Sequence, residues 1–341
     1  MTVERPEITT EDPDMILHGH ETDVVSNTNS PNNPRRILVI KLSAFGDFIL
    51  SIRSFQAIRA HHPNADITLL TTKPYVRLAE ASGCFNSVLI DTRPKIFEIP
   101  ALLKLRKNLR SRKFDRVYDL QRNERTRLYY RLFPSQKPEW VGNVRGCSHY
   151  YEKPENGIYH ISVREKAQLE IAGITDIKLP DLSFIEADLS ELHLPRNYAM
   201  LIPGGAPHRP EKRWPVKAYS ALADHLTLLG ITPLLIGTES ERNECDAIEK
   251  NCPAVLNLCG KTSLEQIAVI ARKSQLSVGN DTGPMHLIAA AGCPVIVLFS
   301  KTSDPNKISP IGPDVLIIRE DDLQDLSIER VISALPAVAL D

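Results

Sequence analysis

The chain has no excess of charge of either sign: 41 Lys and Arg stand against 42 Asp and Glu, a formal net charge of −1. Bulk cationic attraction to a nucleic acid is thereby excluded as its working principle. It has no apolar run near the roughly 18 residues that a membrane span needs. The first 35 residues lack the hydrophobic core of a secretory signal. With their acids, prolines and Asn/Ser-rich run they read as a disordered arm, residues 1–35. Cysteines at 84, 147, 245, 252, 259 and 293 show neither C-x-x-C spacing nor paired histidines. That argues against a zinc site or a disulfide framework and for buried thiols in a reducing, cytoplasmic compartment. No G-x-G-x-x-G follows an expected strand: Ser43–Asp47 holds one glycine, and Pro203-Gly204-Gly205 has the wrong spacing. A nicotinamide-dependent dehydrogenase is disfavoured on that ground, and a titration with NADH tests it.

What the chain has is alternation. Its 341 residues exceed one typical domain, so two compact domains are expected. Arg36–Leu42 is a short, nearly continuous apolar run, the pattern of a strand buried on both faces. After Ser43–Asp47, the residues Phe48, Ile52, Phe55 and Ile58 share one helical face. Further strands are expected at 67–71, 87–90, 116–120 and 140–144, with helices at 76–81, 100–112 and 124–133. A helix-like stretch at 160–172 leads into Lys178–Pro195, a proline-containing segment without periodicity. Strands then recur at 199–202, 233–236, 255–258, 276–279 and 295–299, with helices at 216–229, 241–250, 263–273 and 284–291. Segments 315–318 and 327–335 finish the pattern. Strands alternating with helices imply parallel βαβ units. The reading is α/β: two doubly wound, Rossmann-like domains over 36–182 and 198–341, joined by a linker at 183–197 and facing across a cleft. Ligands of such sheets lie outside the carboxyl ends of the strands. Ser43–Asp47 and Asn280–Gly283 both fall there.

The second of these loops suits a pyrophosphate. Strand Leu276–Gly279 turns through Asn280-Asp281-Thr282-Gly283 into a helix with Pro284 near its first position, where a missing N–H is harmless. The amides of Thr282, Gly283 and Met285 are expected to point out of the helix end, where the dipole adds partial positive charge. Such an end binds phosphate oxygens. Gly283 lets the ligand approach the backbone closely, with Thr282 and His286 as further donors. The plainer alternative is that Asp281 or Thr282 only caps the helix and His286 only packs.

These residues also carry a resemblance. GNDTGPMHLIAAAGCPVIVLF, from Gly279 to Phe299, resembles the signature of glycosyltransferase family nine, the bacterial lipopolysaccharide heptosyltransferases. IKLSAFGDFILSI, from Ile40, is similar to that family's first strand, glycine-aspartate turn and helix. IPGGAPHRPEKRWPVKAYSALA, from Ile202, is similar to the opening of its second domain, and GTESERNE and LCGKTSLEQIA follow in the family's order. The likeness runs from about Arg36 to Asp304. It implies a GT-B fold, with an acceptor-binding first domain and a nucleotide-sugar donor-binding second domain. It also implies inverting transfer from ADP-heptose, with no metal or other cofactor.

Site roles follow from the same resemblance. Asp47 matches the proposed general base, taking a proton from the acceptor hydroxyl; the alternative is a carboxylate that merely favours a helix N-terminus. Lys212 matches the cation on the donor phosphates, with Arg209 and Arg213 as competitors. Glu241 matches a ribose ligand, yet Thr238–Glu241 also fits a capping box, and Glu239 competes. Asp281, Thr282, Gly283 and His286 are the remaining donor contacts. Thr262–Glu265 reads as a second, structural capping box.

Between Lys104 and Arg131, eleven Lys/Arg face only Asp115, Asp119 and Glu124. This predicts a cationic face on the first domain, suited to an anionic glycolipid acceptor at the inner face of the cytoplasmic membrane. A solvated helix face is the ordinary alternative. Arg122 and Arg125 are the candidate acceptor contacts. After Asp119-Leu120-Gln121 the chain reads Arg122-Asn123-Glu124-Arg125 where the family has a glycine, so the acceptor is open to difference, a protein included. Another nucleotide sugar, an epimerase and a non-catalytic nucleotide binder are the remaining alternatives.

Overall fold

The computed structural model describes residues 34–153, 159–205 and 209–335. The arm expected over 1–35 therefore lies almost wholly outside the described residues, as do residues 206–208 ahead of Lys212.

The first half runs β1 (Arg36–Ile40), α1 (Phe45–Leu50), α2 (Ile52–His61), β2 (Asp66–Thr71), α3 (Val76–Ala81), β3 (Ser87–Ile90), α4 (Ile99–Ser111), β4 (Arg116–Asp119), α5 (Glu124–Leu132), β5 (Glu139–Gly142), β6 (His149–Tyr150) and α6 (Ile161–Glu170). The second runs β7 (Tyr198–Ile202), α7 (Val216–Leu228), β8 (Thr232–Leu235), α8 (Arg242–Asn251), β9 (Leu256–Asn257), α9 (Leu264–Ala271), β10 (Ser277–Asn280), α10 (Gly283–Ala290), β11 (Val295–Phe299), α11 (Pro305–Ile308), β12 (Val315–Arg319) and α12 (Ile328–Ile332). The sheet orders are β3-β2-β1-β4-β5-β6 and β12-β11-β10-β7-β8-β9, with every pairing parallel. In the first sheet the direction of winding reverses between β1 and β4, and in the second between β7 and β10, beside the strand that opens each half. The crevices where such sheets hold ligands open at these reversals.

The strands form because they are apolar on both faces. Ile37–Ile40 and Val295–Phe299 are buried throughout, and each such side chain contributes roughly 1.5–3 kcal/mol when removed from water. Of the cysteines, all free, five are buried and Cys147 is half-buried.

Four features differ from the sequence reading. The first helix is interrupted at Ser51, whose Oγ lies 2.8 Å from Asp47 O; such a back-bond to the carbonyl four residues earlier bends helices. Strand β6 was unforeseen, because His149 and Tyr150 carry no apolar period. Strand β9 shrinks to Leu256–Asn257. The capping box of α9 lies one residue later than Thr262–Glu265: Ser263 caps the helix with Gln266 as its reciprocal partner. Thr262 Oγ1 stays buried without a partner among the described residues, while Glu265 faces Arg77 of the first half at 3.7 Å.

The halves meet through helix ends. A Cβ added to Gly46 in α1 would fall 2.7 Å from His286 Cδ2, and one added to Gly283 would fall 2.8 Å from Phe45 Cδ1. His160 Nε2 lies 2.8 Å from Ser309 O across the same junction. A cavity of about 780 Å³, bordered by Arg35, Leu109, Phe114 and Pro138, lies at the opposite, amino-terminal end of the first sheet. It has no part in the crevices.

Candidate active site

In the first half the segment after β1 is fixed from three sides. Gln121 Oε1 accepts from the amides of Leu42 (2.7 Å) and Ser43 (3.1 Å). Leu42 O accepts from Arg93 Nη2 (2.5 Å) and Thr72 Oγ1 (3.1 Å). Loops after β2, β3 and β4 thus hold the backbone that leads into α1. Asp47, in the first turn of α1, is half-buried at the crevice.

Beneath it lies a charge pair with no counterpart in the sequence reading. Lys41 Nζ is 3.0 Å from Glu165 Oε1, with the side chains 2% and 1% exposed. The Ser54 hydroxyl donates to the same carboxylate at 2.7 Å, and Ser51 Oγ, 2.7 Å from it and 2.8 Å from Asp47 O, shares its one proton between the two. Burial by itself would raise the Glu165 pKa; the Lys41 ammonium, the Arg122 guanidinium and the two hydroxyls outweigh it and hold the carboxyl below its ordinary value. Lys41 and Glu165 are 124 positions apart, so neither motif nor period could pair them.

Only part of the expected cationic face is exposed. Residues 104–131 span α4, β4 and α5, and several of their cations are turned inward. Arg116 is buried against Glu139, and Arg110 and Arg112 bond to Leu132 O and Ser87 Oγ. Arg125 Nη1 donates to Pro94 O (3.0 Å) and Tyr129 Oη (3.4 Å), so it ties the β3 loop to α5. Lys104, Arg106, Lys107, Lys113, Arg127 and Arg131 remain wholly or partly exposed. Arg122 differs from these. Its backbone is left-handed (φ 50), which costs a residue with a Cβ about 1–2 kcal/mol. Its amide is held by Asp119 Oδ1 at 2.9 Å. The guanidinium lies 5.8 Å from the Tyr151 ring centroid, and Nη1 is buried without a partner among the described residues. Burial raises the Asp119 pKa to about 6.

In the second half Asn280 organises the crevice. Its Nδ2 donates to Pro203 O (2.8 Å) and Gly204 O (3.0 Å). Its Oδ1 accepts from Trp214 N (3.0 Å) and Tyr219 Oη (3.1 Å). One buried amide thereby joins the ends of β7 and β10 to the turn carrying Lys212. Asp281 Oδ2 accepts from Lys212 Nζ (2.7 Å) and Ser303 Oγ (2.6 Å). Asn280 stands inside the sequence motif, but its partners lie 61 to 77 positions away, and nothing in the sequence marks Ser303 or Gln121 for their roles.

Thr282 is the N-cap of α10, but its side chain makes no capping bond and Oγ1 is buried without a partner among the described residues. The expected bare amide of Met285 is corrected: it donates to Thr282 O at 3.2 Å, because the first turn tightens around Pro284. Thr282 and Gly283 keep the helix-end geometry. His286 is 5% exposed, and burial lowers its pKa to about 4, so its ring is neutral at pH 7. Its Nδ1 has no partner among the described residues.

Glu241 forms the capping box: Oε2 accepts from Thr238 N (2.8 Å) and Oγ1 (2.7 Å), and Oε1 from Ser240 Oγ (2.6 Å). It also borders the crevice, since a Cβ on Gly204 would fall 2.6 Å from Glu241 Cγ. Glu239 is paired with Arg242 instead. Arg213, a competitor of Lys212, is paired with Glu244 and donates to Gly205 O at 2.8 Å, while Arg209 is exposed.

Arg122, Lys41, Glu165 and Asp47 therefore gather at the first switch point. Gly204, Gly205, Lys212, Glu241, Asp281, Thr282 and Gly283 gather at the second, with His286 and Phe45 at the seam. Among the described residues no group of three or more His, Cys, Asp or Glu is arranged for a metal ion, and no helix is long and apolar enough to cross a membrane.

Known proteins are similar to this chain in sequence and fold. A family model described as glycosyltransferase family 9 (heptosyltransferase) matches residues 162–333. Lipooligosaccharide heptosyltransferase 2 of Haemophilus influenzae is 26% identical over 309 residues, covering 83% of this chain and 88% of that one. Lipopolysaccharide heptosyltransferase 2 of Escherichia coli is 25% identical over 311 residues with the same coverage. Among solved structures, a family 9 glycosyl transferase from Veillonella parvula superposes with a TM-score of 0.75 at 21% identity, over 89% of this chain and 98% of that one. An E. coli heptosyltransferase with ADP gives 0.71 at 20% identity, over 87% and 98%. These likenesses show the fold to be GT-B.

Proposed function

We propose, starting from the fact that this chain belongs to glycosyltransferase family 9, that it moves heptose from ADP-heptose to an anionic lipopolysaccharide-core acceptor of the lipid A–Kdo type, with inversion. The observation that carries the reading is the second crevice. There a helix end with an unpartnered, buried Thr282 hydroxyl stands beside a Lys212 ammonium fixed by Asp281, directly across the seam from α1.

In this reading residues 198–341 hold the donor, 36–182 the acceptor, and 183–197 link them. The diphosphate lies on the Thr282 and Gly283 amides, with the Thr282 hydroxyl as a third donor and His286 closing the seam beside it. Asp47 takes the proton of the acceptor hydroxyl as that oxygen bonds to the anomeric carbon. The bond from that carbon to the diphosphate oxygen breaks with its electron pair, and ADP departs. Lys212 neutralises the charge that grows on the leaving oxygens, an interaction stronger in the transition state than before it. Asp281 acts through Lys212, since its own oxygen is engaged by Lys212 and Ser303. After its three capping bonds Glu241 retains about one acceptor site, on Oε1, for a ribose hydroxyl, because a carboxylate offers about four. Arg122, with a free buried nitrogen, suits an anionic acceptor better than Arg125, which is already engaged. The protein works at the cytoplasmic face of the inner membrane.

A mass-spectrometric assay with ADP-heptose, other nucleotide sugars and truncated lipid acceptors tests this. A mass gain of one heptose on a Kdo-bearing lipid is expected. Transfer seen only from a hexose donor would defeat the heptose assignment, and transfer seen only to a protein would defeat the acceptor. The Arg122–Arg125 departure from the family's glycine is the observation that favours looking for a different acceptor.

A further inference from the structure

Large hydrophobic side chains are scattered singly over most of the described surface, with one exception. Ile90, Ile96, Phe97, Ile99 and Leu103 are 52%, 73%, 74%, 54% and 55% exposed, and all fall within one short stretch of chain. Ile99 and Leu103 stand one turn apart on the solvent side of α4, whereas Leu105 and Leu109 are buried on its other side. Contiguous exposure of this kind marks a contact surface.

The surroundings say what it contacts. Lys95 lies 5.6 Å from the centroid of the Phe97 ring. Lys104, Arg106 and Lys107 follow, none of them buried, so Lys107 continues the Ile99–Leu103 stripe as a cation. Glu98 is the one acid from 92 to 114, and its carboxylate is occupied by the Lys95 amide at 2.7 Å. An apolar tip with a basic collar matches a bilayer that carries anionic headgroups: the tip enters the acyl boundary and the collar stays among the phosphates.

Position strengthens the match. The stretch follows β3, at the carboxyl end of the sheet, the end that carries Asp47. It is braced against the crevice, with Arg93 bonded to Leu42 O and Arg125 to Pro94 O. We propose that Lys95–Lys107 is a docking wedge that inserts Ile96, Phe97, Ile99 and Leu103 into an anionic lipid bilayer and so sets the acceptor crevice at the membrane surface. The docking stands on the patch itself; that it presents a membrane-held acceptor rests on the proposed function.

The test needs no turnover. The full chain is floated with phosphatidylcholine vesicles, with and without about one-third phosphatidylglycerol, as wild type, I96S/F97S and K104A/K107A. Wild type is expected on the anionic vesicles. I96S/F97S should lower partitioning at least tenfold through lost apolar burial. K104A/K107A should lower it roughly tenfold or more at low salt and little at high salt. In Phe97→Trp, indole emission should shift to the blue on anionic vesicles and be quenched by brominated acyl chains. Equal partitioning of wild type and I96S/F97S overturns the wedge, and so does indole emission in Phe97→Trp that brominated chains leave unquenched. Self-association that I96S/F97S abolishes without any vesicle binding overturns it too, and would reassign the patch to a protein contact. Loss of transfer by wild type to a water-soluble acceptor strikes the proposed function instead and leaves the flotation result standing.

Discussion

Replacing Asp281 with asparagine keeps the side chain's shape and removes the charge that faces Lys212. The two are 2.7 Å apart, with side chains 11% and 6% exposed. An exposed pair would be worth ~0–1 kcal/mol. Here water can replace little of the lost partner, and removing one member of a buried pair costs about 3–5 kcal/mol. Ser303, at 2.6 Å, also exchanges an ionised acceptor for a neutral one. The residual exposure of Lys212 puts the expectation at the lower end, about 3 kcal/mol, or somewhat more than a hundredfold in the folding equilibrium. Urea unfolding should be followed through Trp214, which belongs to the same half, in a Trp140→Phe background, since Trp140 reports on the other. Asp281→Asn, Lys212→Met and the double variant complete a cycle. The double variant should be less destabilised than the sum of the singles by at least ~1 kcal/mol. Additivity, or an Asp281→Asn variant within ~0.5 kcal/mol of wild type, would falsify the claim that this pair is buried and coupled. ADP titration adds the functional half: if Asp281 positions Lys212, ADP affinity falls in Asp281→Asn and in Lys212→Met alike.

Asp47→Ala should keep donor affinity and lose ~10²–10⁴-fold in turnover, as for removal of a general base; full activity in a product assay dismisses that role. Glu165→Gln leaves the Lys41 ammonium unpaired and should destabilise the first half by about 3–5 kcal/mol, measured by denaturant unfolding. Because the folded pKa of Glu165 is depressed, its stabilisation is complete above the unfolded carboxylate value and is lost as pH falls through the folded one. A first half whose acid sensitivity is the same in wild type and Glu165→Gln contradicts this. For His286 the folded pKa is also lowered, to about 4, so the unfolded chain binds the extra proton as pH drops below the ordinary imidazole value. Stability should decline from about pH 6.5 toward pH 4 by at most around 3 kcal/mol, and His286→Gln should flatten that slope in pH-dependent melting. Gly46→Ala places a methyl 2.7 Å from the His286 ring; a destabilisation or opening worth ~1–3 kcal/mol is expected, and an unchanged melting profile counts against the seam.

The sheets were legible wherever burial on both faces made the strand a continuous apolar run, as at Ile37–Ile40 and Val295–Phe299. They were illegible where pairing is done by neighbours, as for His149–Tyr150, which joins the sheet only because Val141 and Gly142 offer it an edge. The cap of α9 was misplaced because Thr262-x-x-Glu265 and Ser263-x-x-Gln266 satisfy the same pattern, and only the backbone decides which hydroxyl reaches an amide. At the crevice, local geometry was readable from Asp281-Thr282-Gly283-Pro284. What each side chain does with distant residues was not. Lys212 with Asp281, Arg125 with Pro94 O and Lys41 with Glu165 are encounters created by the fold, and a run of basic residues cannot announce which of its members will be turned inward.

The two glycines at the junction have a mechanical meaning. Phe45 rests on the bare backbone of Gly283, and His286 on that of Gly46, one ring from each half landing on the other. Such a double seat acts as a hard stop: the halves cannot come closer at this point without the rings running into backbone. Each carbon–carbon touch is worth only ~0.1–0.2 kcal/mol, so what holds the halves together here is the sum of many, with the His160 bond to Ser309 O beside them.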